Sequence, residues 1–188
     1  DIDWDAEVTD NDASLVLSYI TGDELLSPLQ KAIGDASNSA SLSAFDASLI
    51  LQFISGNLEG IPIENSDSFI VNGNLHSPEI LGEVGEIVTI PISIENSNNL
   101  YSFSISFTYN NVQLESGSVY LGTISNYGFL VESSVSDSGS IIVTGASPTS
   151  IGGDLDLFTM YFIPTEFENG QLEIECNQIM LNEVMQQQ

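Results

Sequence analysis

Apolar residues recur in this chain with two different periods, and the change from one to the other divides it. In the first part the spacing is helical: Leu15, Val16, Tyr19 and Ile20 share one face, and Leu49, Ile50, Phe53 and Ile54 share another. Each run stops at a glycine, Gly22 or Gly56, suited to a left-handed C-cap. Between them Ser27-Pro28, then Leu29 to Ile33 and Gly34, predicts a short helix with a serine N-cap and proline in its first turn. From Ile61 the texture becomes polar, with Pro62, Asn65, Ser66, Asp67 and Asn72-Gly73-Asn74 marking a linker over 63–74. Beyond it the period is two. Val88, Ile90, Ile92 and Ile94 alternate with polar residues and Pro91, and Tyr101, Phe103, Ile105, Phe107 and Tyr109 alternate with serine and threonine. Further strands are expected over 112–121, 129–135, 140–146, 155–163 and 171–181, with Asp137-Ser138-Gly139 as a hairpin turn and Pro91 at an edge or bulge. The expectation is an α + β chain of two domains: a three-helix unit over 1–62, then an antiparallel β-sandwich over 75–184 and a tail over 185–188.

The helical part is duplicated. DASLVLSYITG, from Asp12, realigns with DASLILQFISG, from Asp46, after a shift of 34 residues. The residues ahead of each copy carry the candidate chemistry. Asp1, Asp3, Asp5, Glu7, Thr9 and Asp12 occupy positions 1, 3, 5, 7, 9 and 12 of an EF-hand-type loop, with Val8 as the apolar residue at position 8. A hard cation such as calcium takes six to eight oxygens, and a twelve-residue loop entering a helix supplies them from alternating side chains, the position-7 carbonyl and a carboxylate at position 12. The second loop reads Asp35, Ser37, Ser39, Ser41, Ser43 and Asp46, with Leu42 at position 8. Carboxylates have become hydroxyls there, so two Ca2+ sites are expected, the first stronger than the second. The same acids also suit a solvated helix N-terminus, the reading that competes with metal binding.

A duplicated loop plus helix, with Asp at position 12 and no preceding helix, resembles a dockerin over residues 1 to about 62. It departs from that family's usual glycine at position 6, where Ala6 and Ala40 stand. The later segment resembles a cohesin, a jelly-roll sandwich, through IPISIENSNNLYSFSISFTYN (Ile90 to Asn110) and GGDLDLFTMYFIP (Gly152 to Pro164). Since cohesins bind dockerins, the pairing implies docking of the helical unit of one copy on the sandwich of the next. Such a heterologous, head-to-tail contact builds rings or filaments. Docking within one chain, across a short linker, looks geometrically awkward. The bridging surface is expected to use Asp10, Asn11, Ser14 and Ser18 from the first repeat and Ala44, Phe45, Ser48 and Gln52 from the second. Phe45 is the anchor candidate, with a core aromatic as the equal alternative.

Composition narrows the function further. The chain has 27 acidic residues against one cation, Lys31, giving a net charge of −26. Nucleic acid is excluded as a partner for want of cations to displace phosphate counterions, and divalent ions are the natural counterweight to the carboxylates. Cys176 is the only cysteine, expected as a buried thiol, and His76 is the only histidine, expected in a loop. No apolar run reaches membrane-spanning length. No catalytic constellation assembles, although Asp154 and Asp156 stand as a further ion-binding pair. The reading is a non-catalytic, extracellular or cell-surface assembly protein whose partners are other copies of itself or dockerin- and cohesin-bearing proteins. An adaptor in a cellulosome-like complex stays open beside it. So does a carbohydrate-binding module stacking sugars on Tyr101, Tyr109, Tyr120 or Tyr127.

Overall fold

The computed structural model describes residues 1–63, 71–76, 85–109, 118–136, 139–163 and 174–185. Of the expected features, most of the linker, the first half of the strand over 112–121, Asp137 and Ser138 of the hairpin turn and the last three residues of the tail lie outside them.

Three helices form where they were expected, the first and third from their periodicity and the second from its cap and proline: α1 Asp10–Thr21, α2 Pro28–Gly34 and α3 Ala44–Ile54. Each starts at a capping box, in which two backbone donors without intrahelical partners are satisfied reciprocally. Thr9 and Asp12 form it for α1, Ser27 and Gln30 for α2, Ser43 and Asp46 for α3. α1 stops at Gly22, whose φ of 87° lets its N–H turn back to the Ser18 and Tyr19 carbonyls.

The remainder is antiparallel: β1 Asn72–His76, β2 Val88–Tyr109, β3 Ser118–Leu121, β4 Leu130–Ser136, β5 Ser140–Phe162, β6 Ile174–Leu181 and β7 Val184–Met185. The strand order is β3-β5-β2-β6-β7, with β1 added on β2 and β4 on β5. Four separate strands were expected where β2 and β5 stand. Each is instead one long element, of 22 and 23 residues, and they pair from Val88↔Phe162 to Thr108↔Ser140. Register shifts between Ile92 and Ser102, with left-handed Asn96 and Asn99, bend this ribbon without ending it. The first part of β2 thereby belongs to one layer and its last part to the other. Across the layers Phe103 stacks on Phe158 at 6.1 Å and Phe107 meets Phe158 edge-on at 6.3 Å, at the centre of the sandwich core. Gly145 is needed opposite this stack, since a Cβ there would lie 2.5 Å from Phe103. Pro91 is exposed opposite Thr159, next to the shift at Ile92, as a strand proline should be. His76 ends β1 instead of lying in a loop, and Cys176 is half-buried at the core's margin instead of fully enclosed.

The helical unit sits on the sandwich of its own chain, which corrects the expectation that docking within one chain is awkward. A second core joins Ile2, Val16, Leu17, Phe45 and Leu49 to Ala146 of β5, with Leu130 and Tyr101 packed against it. Buried Ser48 Oγ donates to the Ser147 carbonyl at 2.8 Å, and Asn57 Nδ2 donates to the Pro148 carbonyl at 3.0 Å. This corrects the expectation of an open face on the second repeat: Ala44, Phe45, Ser48 and Gln52 are all buried. α3 is apolar around most of its circumference, so α1 alone cannot cover it and the sheet takes the other side. Asp10 and Asn11 of the first repeat do remain exposed, and Ser14 and Ser18 are half-buried.

Candidate metal centre

The two loops ahead of α1 and α3 share one backbone path. Position 4 is left-handed in both, at Trp4 (φ 67°) and Asn38 (φ 59°), and so is position 6, at Ala6 (φ 75°) and Ala40 (φ 69°). The turn that usually takes glycine is thus kept with alanine, against a cost of roughly 1–2 kcal/mol each. The hydrogen bonds repeat as well. The position-1 carboxylate accepts from the position-6 N–H, Asp1 Oδ2 from Ala6 at 3.0 Å and Asp35 Oδ2 from Ala40 at 2.8 Å. The position-12 carboxylate closes the capping box, Asp12 Oδ2 accepting from Thr9 N at 2.8 Å and Asp46 Oδ2 from Ser43 N at 2.7 Å. Its other oxygen reaches back to the loop's start at different positions in the two loops, Asp12 Oδ1 accepting from Ile2 N at position 2 and Asp46 Oδ1 from Ser37 N at position 3, at 2.9 Å.

In the first loop Asp1, Asp3 and Asp5 each bring a carboxylate oxygen within 4.8 Å of the others. Asp1 Oδ1 is buried there and no hydrogen-bond donor meets it. An orphaned, inward carboxylate oxygen among like charges suits a cation. Glu7 is exposed and donates its N–H to Asp5 Oδ1 at 2.9 Å. In the second loop Ser37 Oγ lies 3.3 Å from Asp35 Oδ1, while Ser39 and Ser41 are exposed and paired with each other, Ser39 Oγ donating to the Ser41 carbonyl at 3.1 Å. The first donor set is wholly oxygen and anionic, the chemistry of a hard divalent cation, whereas Asp35 and Asp46 of the second loop form no comparable group among the described residues.

One participant escaped the sequence reading. Glu183, in the turn between β6 and β7, places Oε1 2.6 Å from Ser37 Oγ and 3.1 Å from Ser43 Oγ, so both hydroxyls donate to it. Burial pushes the Asp46 carboxyl up to about 6, backbone donors from Ser37 and Ser43 oppose the shift, and the Glu183 charge adds to it. Lys31, the single basic side chain, is spent elsewhere: its Nζ lies 4.4 Å from the Tyr19 ring centre. A second like-charge contact between the units is found at Glu132 on β4, raised by burial and then by Asp23. Asp154 and Asp156 form no comparable group among the described residues, and Asp154 Oδ1 accepts from Asn96 N at 2.9 Å. Of the four tyrosines considered for stacking, Tyr120 and Tyr127 are exposed and Tyr101 and Tyr109 half-buried.

The described residues form antiparallel strands carrying a helical unit on one face. Residues 74–166 match the family model of the Cohesin domain. No curated protein matches the chain. Among solved structures, it is similar to a non-cellulosomal cohesin from the hyperthermophilic archaeon Archaeoglobus fulgidus, at 27% identity and a TM-score of 0.40, over 53% of this chain and 70% of that one. A cohesin module from a Clostridium perfringens family 33 glycoside hydrolase is 21% identical, with a TM-score of 0.45 over 58% of this chain and 82% of that one. A type I cohesin–dockerin complex from Clostridium thermocellum gives 15%, 0.46, 58% and 87% respectively. Among the described residues no helix is long and apolar enough to cross a membrane.

Proposed function

We propose that this chain is a non-catalytic extracellular assembly module whose calcium-ordered helical unit docks on the cohesin sandwich of a neighbouring copy. Asp1, Asp3, Asp5 and Asp12, with the carbonyl of Glu7, would hold one Ca2+, and Asp35, Ser37, Ser39, Ser41 and Asp46 a second. The ion supplies positive charge that the chain, with one basic side chain, lacks. The loop residues in turn fix the entry to α1 and α3, because the position-9 and position-12 side chains are also their capping boxes.

The observation that carries the reading is the burial of α3 on β5, through Ala146 and the Ser48–Ser147 hydrogen bond. A sheet face that accepts this helix within one chain accepts the same helix from another copy, if the linker lets the units exchange. An exchanged contact of this kind is heterologous and propagates head to tail. Light scattering and electron microscopy of the full chain test it, in millimolar Ca2+ and in chelator. Calcium-dependent growth beyond the monomer is expected. A strict monomer at high concentration in Ca2+ overturns the filament.

One observation favours a second reading, the adaptor. α3 is covered, yet Asp10 and Asn11 at the equivalent end of α1 stay open, which leaves one repeat for a foreign cohesin-bearing partner. Calcium-dependent binding of an isolated cohesin by a monomeric chain would select it over the filament.

A further inference from the structure

We propose that the outer face of the layer formed by β3, the last part of β5 and the first part of β2 binds a neutral polysaccharide, whose sugar rings stack on Tyr120 and Tyr161. The site goes beyond the assembly reading and does not depend on it.

Register builds this face. Val88, Ile90 and Ile92 of β2 and Phe158, Met160 and Phe162 of β5 are buried in the core, so the residues that alternate with them turn outward. Thr89 pairs with Tyr161, and Pro91 pairs with Thr159, which pairs in turn with Tyr120. One row thus runs Tyr120, Thr159, Pro91 across three strands, a span of about 10 Å. Tyr161 stands diagonally beside Tyr120, and their ring centres lie 5.0 Å apart at 83°, edge to face. Tyr120 is 60% exposed, Thr89 and Pro91 are exposed, and Thr159 and Tyr161 are half-buried. The ring contact sets the attitude of the open Tyr120 ring before a ligand arrives, which lowers the cost of ordering it on binding.

Chemistry selects the ligand. The chain carries a net charge of −26, yet Tyr120, Thr159, Tyr161, Thr89 and Pro91 bring no charge to this face. Anions are repelled by the chain as a whole, and cations are drawn to carboxylates elsewhere, so an uncharged ligand suits this surface best. Two aromatic rings and a proline ring interspersed with hydroxyls match a molecule with apolar faces and a polar rim. A pyranose is such a molecule: its C–H groups lie on the ring faces and its hydroxyls project around the edge. Tyrosine rings cover the former, and the tyrosine and threonine hydroxyls can both donate to and accept from the latter. The helical unit does not compete for the site, because it rests on Ala146 and Leu130, on the other layer. Of the four tyrosines considered for stacking, Tyr101 packs against the helical core, Tyr109 against the sandwich core, and Tyr127 lies by Ser147. Tyr120 alone belongs to this face, and its partner there is Tyr161.

The test is native affinity electrophoresis of the full chain in gels containing hydroxyethylcellulose, a soluble neutral β-glucan, or carboxymethylcellulose, which puts carboxylates on the same backbone. Wild type should be retarded by the neutral polymer and much less by the charged one. Tyr120→Ala and Tyr161→Ala should each weaken binding by about tenfold or more, with the β-sheet circular dichroism of Tyr120→Ala unchanged. Tyr120→Phe should keep most of the retardation, and Tyr127→Ala all of it. Chelator should not alter retardation, and Tyr120→Ala should associate in Ca2+ as wild type does, so this site and the assembly reading fail separately. The proposal is overturned if neither polymer retards the chain, or if the charged polymer retards it more. Retardation that survives the Tyr120→Ala, Tyr161→Ala double variant also overturns it. So does a Tyr120→Ala variant that changes association and leaves retardation intact, since the face is then a protein contact.

Discussion

Truncating Phe45 separates a core residue from a docking anchor. Phe45 is 1% exposed and lies where α3, α1 and the sheet meet. Phe→Ala at a fully buried site costs about 3–5 kcal/mol, the lost transfer free energy plus the cavity left behind. A unit of this size rarely draws more than about 3–5 kcal/mol from its own core, so Phe45→Ala removes most of what holds the helices. The assay is urea denaturation of the monomer in chelator, with Trp4 emission reporting the helical unit and β-sheet circular dichroism the sandwich. The helical transition should move to much lower urea or vanish, while the sheet transition stays cooperative. Leu25→Ala, at a site 91% exposed, should change nothing beyond about 0.5 kcal/mol. If Phe45→Ala leaves monomer stability intact and abolishes association alone, Phe45 is an intermolecular anchor and the packing described above is wrong.

Ala6→Gly and Ala40→Gly should each stabilise by about 0.5–1 kcal/mol, because relief of the left-handed alanine exceeds the extra chain entropy of glycine; thermal melts that fall instead would count against the shared loop conformation. Glu132→Gln should stabilise at neutral pH by no more than about 1 kcal/mol, the range of a screened pair near the surface. Its carboxyl is raised in the fold, so the charged form is disfavoured there and wild type recovers stability as pH falls through the folded pKa. Melts of wild type and variant should therefore converge on acidification, and a gap that widens would refute the Asp23–Glu132 contact.

What the sequence carried well was local. The 34-residue repeat, the N-cap serine Ser27 and the alternation along β2 each depend on neighbours a few positions away, and each stands where it was expected, while Thr9 and Ser43, read only as loop position 9, also cap their helices. What it did not carry was the outcome of distant packing. Phe45, one residue inside α3, reads equally as anchor or core until the sheet is seen to cover it. The continuity of β2 through Asn96 and Asn99 depends on Gly153 and Ile151 of β5 pairing across the bend, where Asn96 to Asn99 alone reads as a turn. Glu183 is 146 residues from Ser37, and no spacing rule links a turn glutamate to a loop serine.

The bent ribbon of β2 and β5 has a mechanical consequence. Because each of these strands runs unbroken from one layer into the other, the layers are joined along the main chain and not only by the side chains between them. Tension applied to the sandwich cannot simply slide one layer off its partner; it must first unzip a ladder that extends from Val88 to Thr108. A subunit carrying load along a string of like subunits would yield at its seats before its sandwiches.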